Sequence, residues 1–135
     1  MTSLIERLSK LDGPCRETDW EIQKFFMGEW LHKHGYKREG NYYRTDTPPI
    51  SGAKICSGPE YYTSSIEAAI ALAERVLPGW TIAHLGQDDH KLWNAELRQG
   101  HLTSYSHVTL GGSSTPAIAL VIATLRAKEA SSHDE

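Results

Sequence analysis

A glycine- and serine-rich segment near the C-terminus has the residue types of an anion-binding site. Residues 111–114 read Gly-Gly-Ser-Ser and are followed by Thr115 and Pro116, then by apolar residues at helical spacing. Backbone N–H groups, hydroxyls and the positive end of a helix dipole favour an anion at such a position. A strand-to-helix connection capped by Thr115 is the simpler interpretation, because the lysine-containing P-loop pattern is missing. Under the anion hypothesis, the ligand contacts are Ser113, Ser114 and Thr115.

Aromatic residues are concentrated in or beside the predicted strands. Tryptophan and tyrosine suit half-buried strands, so packing explains most of them. A groove lined by rings and cations would also suit a nucleotide-like ligand, whose base stacks on the rings while its phosphate meets the cations. The same residue types are enriched at protein interfaces. The candidate contacts are Tyr43, Tyr62, Trp93, Tyr105, Arg16 and Arg44, with Tyr42, Tyr61, Trp80 and Lys54 nearby.

Arg16 stands beside two acids just before the second predicted helix. Glu17 and Asp19 lie where acids favour the positive end of a helix, and Arg16 can pair with an acid there. Capping is the plainer hypothesis for this group. Alternatively, the planar guanidinium of Arg16 anchors the phosphate or carboxylate of a ligand.

The histidines, seven in all, do not form a metal-binding pattern. HExxH and Cys/His ribbon spacings are missing, so we predict no metal, no cofactor and no catalytic residue. On a sheet, His84, His107 and Asp88 could converge, and a small hydrolase that uses His84, His107 and an acid is an alternative. Cys56 follows Lys54, which would favour a thiolate, but no partner for nucleophilic catalysis can be assigned to it.

Length, charge and cysteine content limit the class of protein. The 135 residues suffice for one domain, predicted at 1–130 with a disordered tail at 131–135. The formal net charge of −3 argues against general nucleic-acid or membrane binding, since phosphate-rich partners need a basic field. Neither a signal peptide nor a membrane-spanning run is expected. Cys15 and Cys56 are predicted to be free thiols of a cytosolic protein, although a bridge between them stays open.

Hydrophobic periodicity and capping residues predict an α+β fold. Four helices are expected, and three of them begin with Ser or Thr followed three residues later by Glu, as in a capping box. Alternating runs separated by short turns predict an antiparallel sheet of three to five strands with the helices packed on it. In the run 91–97 the alternation places Trp93, Ala95 and Leu97 on one face. The predicted helices begin at Ser3, Thr18, Ser64 and Thr115, the predicted strands are 42–45, 53–56, 80–85, 91–97 and 102–110, and the predicted turns are 86–89 and 98–100.

Four short phrases in a fixed order carry a family resemblance. They read GPCRETD at 13–19, YTSSIEAA at 62–69, LPGW at 77–80 and TPAIAL at 115–120. Together with the opening around Leu4 and the Leu-Arg-Ala close at 125–127, they resemble the phage ABA-sandwich domain, a family of small phage and prophage proteins. The resemblance implies an α-β-α layered domain in the cytoplasm of a bacterial host, and it implies no catalytic mechanism. Residues 36–62 match no pattern of the family.

These observations predict a non-enzymatic phage or prophage accessory protein that works by binding. The sharper hypothesis is counter-defence, in which the protein sequesters a nucleotide-derived host immune signal by aromatic stacking and an anion site near Thr115. A module that binds a host or phage protein, through an exposed sheet edge or the 36–62 hairpin, is one alternative, and the small hydrolase is another. Exposed strands would also suit a homodimer.

Overall fold

The computed structural model describes residues 2–33, 35–40, 42–45, 54–101 and 104–133, and the side chains at 2–3, 45, 54–57, 100–111 and 130–133 lie outside this description. The strands form two antiparallel sheets with the orders β1-β2-β3 and β4-β5-β6. In chain order the elements are α1 (Thr2–Ser9), α2 (Arg16–Lys33), β1 (Tyr36–Glu39), β2 (Tyr42–Thr45), β3 (Lys54–Ser57), α3 (Ile66–Val76), β4 (Trp80–Gln87), β5 (Trp93–His101), β6 (Ser104–Ser113) and α4 (Pro116–His133).

Helix α4 lies at the centre of the fold because it is apolar on every side. All residues of 117–125 are buried, and a helix that is hydrophobic all round must be covered all round. It packs on all three strands of the β4–β6 sheet and on α1 and α3. The buried hydroxyl of Thr124 donates to the carbonyl of Leu120 at 2.8 Å, so it is satisfied within the helix. None of the helices in the described ranges combines the length and the hydropathy needed to cross a bilayer.

One face of the β4–β6 sheet covers α4. Ala95 and Leu97 of β5 are buried, and Trp93 is partly buried against the same core. In the neighbouring strand, Leu85 pairs in register with Ala95 and Ile82 pairs with Leu97. Successive strand residues alternate between the faces of a sheet. The prediction that Trp93, Ala95 and Leu97 share one face is confirmed.

One tyrosine of the β1–β3 sheet is buried against α2. Tyr43 of β2 is buried, and its ring centroid lies 4.8 Å from that of Trp20 on α2. Tyr42 and Arg44, the neighbours of Tyr43 in the strand, are exposed. This alternation directs Tyr43 toward the helix and leaves the other two side chains on the far side of the sheet.

A buried carboxylate fixes the start of α2 to the segment before α3. Asp19 is 1% exposed, and its Oδ1 accepts hydrogen bonds from the backbone N–H of Thr63 at 2.8 Å and from the Thr63 hydroxyl at 2.9 Å. The same hydroxyl oxygen accepts the N–H of Cys15 at 2.9 Å. Hydrogen bonds to a carboxylate are short and strong. The two segments therefore hold each other in place although more than forty residues separate them along the chain.

The predicted α+β class is confirmed, but the helix starts differ from the prediction. Helix α2 begins at Arg16 instead of Thr18, because the carbonyl of Cys15 accepts the N–H of Asp19 at 3.1 Å, and Thr18 is buried within the helix. Helix α3 is capped by Ser65 instead of Ser64, with the Ser65 Oγ accepting the N–H of Ala68 at 3.2 Å. Adjacent residues that can all cap a helix leave its start uncertain by one or two positions.

Other helix boundaries agree with the sequence. Pro116 is the first residue of α4, and the Thr115 Oγ1 accepts the N–H of Ile118 at 3.1 Å, as a cap does. Gly35 follows α2 with φ = 77°, the left-handed conformation that glycine adopts after a helix. Helix α4 reaches His133, which is inside the segment predicted to be a tail.

Strand boundaries were predicted less well. The predicted turn at 98–100 belongs to β5, and the first hairpin turns after β4, at Asp88, where the carboxylate accepts the N–H groups of Leu92 and His90. Those hydrogen bonds and one from Asn94 hold the pKa of Asp88 below its usual value. The predicted strands also divide between two sheets. Strand β1 was not predicted, because its Tyr-Lys-Arg-Glu sequence shows no alternation of apolar and polar residues.

Candidate ligand-binding cleft

A cleft of ≈ 380 Å³ lies between α2 and the β1–β2 hairpin, and we call it the α2 cleft. This volume falls within the usual range for small-molecule sites, about 300–1,000 Å³. Strand residues and one face of a helix contribute to its walls. The cleft is lined by Trp20, Lys24, Gly28, Tyr36, Arg38 and Tyr43, and also by Glu21, Leu31 and His32.

The helical wall follows directly from residue spacing. Trp20, Lys24 and Gly28 are four residues apart and Leu31 follows three later, so they form one stripe along α2. Gly28 is in the middle of this stripe. A Cβ atom at Gly28 would meet only the Cγ of Lys24, at 3.5 Å, which is an ordinary van der Waals contact. The helix could therefore carry a larger residue here, and glycine keeps this part of the cleft open.

Aromatic rings and a guanidinium are stacked at the sheet side of the cleft. The Arg38 Cζ lies 4.2 Å from the ring centroid of Trp20, and Tyr43 packs on Trp20 at an interplanar angle of 60°. Tyr36 is near-parallel to Trp30, with the ring centroids 6.0 Å apart. Burial raises the pKa of Tyr43 above its usual value, so the phenol stays neutral at physiological pH. Trp20 and Tyr43 are buried, whereas Tyr36 is half-buried, so Tyr36 is the ring that the cleft presents to a ligand beside the positive charge.

Two cations border the α2 cleft, and they differ in whether an acid of the protein already binds them. Lys24 is exposed and has no ion-pair partner among the described residues. Arg38 donates from both terminal nitrogens to Glu17, at 2.7 Å and 3.2 Å. Glu21, which also lines the cleft, lies 3.6 Å from the guanidinium of Arg7. Lys24 is therefore the cation most readily available to an anionic ligand.

A second hollow of ≈ 570 Å³ lies at the start of α2. Arg16 lines this hollow and is held by contacts within the protein. Its guanidinium donates to Asp19 at 3.2 Å and to the carbonyl of Glu60 at 3.1 Å, and its Cζ lies 4.0 Å from the Tyr61 ring centroid. Cys15 borders the same hollow as a free thiol. Hydrogen bonds from Thr18, first from its hydroxyl and then from its N–H, lower the pKa of that thiol. In this structure Arg16 holds together α2 and the 60–61 segment.

The residues predicted to form an anion site near Thr115 are engaged in the fold. Gly111, Gly112 and Ser113 belong to β6 and pair with Ala95, Asn94 and Trp93 of β5, so the predicted loop is mostly strand. Ser113 is 6% exposed, and its hydroxyl has no partner among the described residues. Ser114 donates to the carbonyl of Leu11 at 3.1 Å, and Thr115 caps α4.

The remaining predicted contacts do not meet at one place. Tyr43 lines the α2 cleft, whereas Tyr62 is 2% exposed in the core and donates its hydroxyl to the Gln23 side chain at 2.5 Å. Trp93 is partly buried in the other sheet. Arg44 is exposed, 3.7 Å from Glu39. Tyr105 is paired in register with Gly100 at the far end of that other sheet, and its side chain is outside the description.

Residues of the alternative hydrolase are also placed by the structure. His84 is exposed on β4 and pairs in register with Glu96. The carboxylate of Asp88 accepts hydrogen bonds that organise the hairpin turn. The side chains of His107, Lys54 and Cys56 lie outside the description. Within the described ranges, no three His, Cys, Asp or Glu residues cluster as metal ligands would.

Of the six cleft residues named first above, sequence reasoning found Tyr43 and missed five: Trp20, Lys24, Gly28, Tyr36 and Arg38. A signal for three of them was present, since tryptophan, lysine and glycine at spacing four form a stripe on the side of α2 away from Ile22 and Phe26. Glycine inside a helix costs about 0.5–1 kcal/mol relative to alanine, so its presence there points to a local requirement. Arg38 carried no such signal, because strand β1 itself was not recognised.

The Thr115 side chain tests whether its segment is a cap or a ligand contact. We expect Thr115→Ala to lower the free energy of unfolding by about 0.5–2 kcal/mol, because the N–H of Ile118 loses its acceptor. Thr115→Ser keeps an acceptor oxygen and should restore most of that loss. Urea unfolding of both variants measures this. An unchanged stability for Thr115→Ala would contradict the capping role.

Fold and cleft together define a small α+β protein with an aromatic cleft bordered by cations. No known family model matches the chain, and neither a curated protein nor a solved structure shows significant similarity to it. Membership of the phage ABA-sandwich family stays a prediction from the four phrases.

Proposed function

We propose that the protein binds a small ligand with a planar ring and an attached anionic group, of which nucleotides are the best-matched class, in the α2 cleft. The observation that carries the proposal is the proximity of Trp20, Tyr36 and Tyr43 to Lys24 and Arg38 around one cleft of ≈ 380 Å³. Base–aromatic stacking contributes about 1–3 kcal/mol per base and needs an accessible ring face, which Tyr36, the half-buried ring of the three, supplies. The cations at the border of the cleft suit the phosphate.

The proposal keeps the predicted ligand class but moves the site. Sequence reasoning placed the anion near Thr115, more than seventy residues along the chain from Tyr43. The hydroxyls of Ser114 and Thr115 are engaged by the fold. Lys24, in contrast, borders the same cleft as the rings. The α2 cleft therefore replaces the predicted composite site.

Binding without turnover, in the cytoplasm of a phage-infected host, completes the proposal. The setting rests on the resemblance of the four sequence phrases to phage proteins. Sequestering a nucleotide-derived immune signal needs only a cleft that holds the ligand, and the α2 cleft combines the half-buried ring of Tyr36 with two cations. A hydrolase is the weaker alternative, because the Asp88 carboxylate is occupied in a turn.

Removing Lys24 tests the anion contact. In calorimetry with a panel of cyclic and ADP-ribose-type nucleotides, we expect Lys24→Ala to weaken binding by about threefold to tenfold, the effect of losing a charge-assisted hydrogen bond at an exposed site. The matched control is Lys33→Ala, because Lys33 is an exposed lysine of the same helix away from the cleft. The affinity of Lys33→Ala for the nucleotides should equal that of the wild type. The corresponding nucleosides, which carry no phosphate, should bind equally to the wild type and to both variants.

Two results would remove the proposal. One is the absence of heat with every nucleotide of the panel. The other is equal loss of affinity in Lys24→Ala and Lys33→Ala, which would show that the overall charge matters instead of the cleft.

A protein interface is the second candidate, and two observations favour it. Trp30 is 50% exposed and lies beside Tyr36 of β1, which is an edge strand of its sheet. Tryptophan and tyrosine are enriched at interfaces, and an edge strand can accept a further strand. Native mass spectrometry of protein purified from infected cells separates the candidates: a retained small-molecule mass supports the cleft, and a stoichiometric protein partner supports the interface.

A further inference from the structure

Arg38 borders the α2 cleft while it is held by a carboxylate of the protein itself. Its Nε donates to the carbonyl of Gly40 at 2.9 Å, which fixes the plane of the guanidinium at the β1–β2 turn. Both terminal nitrogens then donate to the two oxygens of Glu17. This two-pronged arrangement is the geometry in which arginine binds carboxylates and phosphates.

The Glu17 carboxylate is an exposed group that reaches Arg38 from the first turn of α2. Its side chain is 73% exposed, and within the described part of the chain its carboxylate contacts only Arg38. Hydrogen bonding from Arg38 holds the pKa of Glu17 below its usual value, so Glu17 is charged near neutral pH. Exposed ion pairs of this kind are weak and exchange readily with other anions.

We propose that Glu17 is an internal competitor for the anionic group of the ligand: its carboxylate occupies the two terminal nitrogens of Arg38, and a bound phosphate replaces it there. This inference rests on the proposed function for the site but concerns the anion alone. A phosphate offers more acceptor oxygens than a carboxylate, and Arg38 shares the border of the cleft with a second cation, Lys24. Glu17 therefore lowers the affinity for any ligand that uses Arg38 and leaves unchanged the affinity for ligands that do not.

The alternative role for Glu17 is to position Arg38. It predicts the opposite change in anion affinity when the Glu17 carboxylate is removed. A guanidinium has five N–H groups, and the hydrogen bonds to Gly40 and Glu17 use three of them. A ligand could bind the other two while Glu17 stays in place and orients Arg38. In that case removing the carboxylate would weaken anion binding, whereas competition predicts that it strengthens anion binding.

The test uses Glu17→Gln and follows the Arg38 Nε–H resonance by NMR during titration with inorganic pyrophosphate. We expect Glu17→Gln to bind pyrophosphate about twofold to fivefold more tightly than the wild type, the range that release of an exposed ion pair allows. Glu29→Gln is the matched control, because it removes the same charge from an exposed acid of the same helix that does not line the cleft. Arg38→Gln should abolish the difference between the proteins with and without Glu17.

Each outcome has one meaning. Equal gains in Glu17→Gln and Glu29→Gln, weaker binding by Glu17→Gln, or no pyrophosphate binding by either protein would overturn the competitor role. If pyrophosphate binds as expected but no nucleotide of the panel does, the proposed function fails and the competition at Arg38 stands. If nucleotides bind and Glu17→Gln changes nothing, the proposed function stands and the competitor role fails.

Discussion

Replacing Gly28 by methionine should abolish most ligand binding while leaving the protein at least as stable as the wild type. The new side chain would extend from the helical wall into the α2 cleft, since a Cβ at this position meets only Lys24 at 3.5 Å. If the methionine prevents the ring of the ligand from stacking in the cleft, the affinity falls by roughly 5- to 150-fold, the equivalent of about 1–3 kcal/mol. Calorimetry with the nucleotide panel measures the loss.

The stability of the same variant is the informative part of this prediction. Glycine inside a helix is destabilising by about 0.5–1 kcal/mol relative to alanine, and methionine is nearly as good a helix former as alanine. Urea unfolding should therefore show a gain, in the opposite direction to the change in affinity. Gly28→Ala is the matched control: it should gain similar stability and keep most of the affinity. Full affinity in Gly28→Met would show that the ligand site lies elsewhere.

Replacing Leu120 by alanine should cost about 2–5 kcal/mol of unfolding free energy, the range for leucine-to-alanine changes in well-packed cores. Leu120 is 0% exposed in the second turn of α4 and belongs to the core that the sheet, α1 and α3 share. A cavity there cannot be filled from outside, because the helix is enclosed on all sides. Single domains have only about 5–15 kcal/mol of net stability, so the variant should unfold at markedly lower urea.

Leu92→Ala is the control for that experiment. Leu92 follows the β4–β5 turn and is 49% exposed, so its truncation should change the free energy of unfolding by no more than about 0.5 kcal/mol. Comparable losses in the two variants would contradict the central position of α4. The slope of the unfolding free energy against urea concentration should be the same in Leu120→Ala as in the wild type, because unfolding exposes nearly the same surface. Only the midpoint should fall.

The candidate site shows where sequence reasoning stops. Tyr43 was predicted as a ligand contact together with Tyr62, but the two side chains have different surroundings. Tyr43 borders the cleft, whereas Tyr62 lies in the core and donates its hydroxyl to Gln23. Arg38 reaches the cleft only through the pairing of β1 with β2. Both placements depend on contacts between segments that are distant in sequence, and local periodicity carries no information about those.

Sequence by itself determined the α+β class, the four helices, the shared face of Trp93, Ala95 and Leu97, and the Thr115 cap, because each depends on residues within one or two turns of each other. Tertiary structure alone decided which serine caps α3, that residues 111–113 are strand, and that the cleft lies at α2. Strand pairing and the burial of Asp19 against Thr63 compete with local preference and override it, since they satisfy backbone groups and a buried charge that the local chain cannot satisfy.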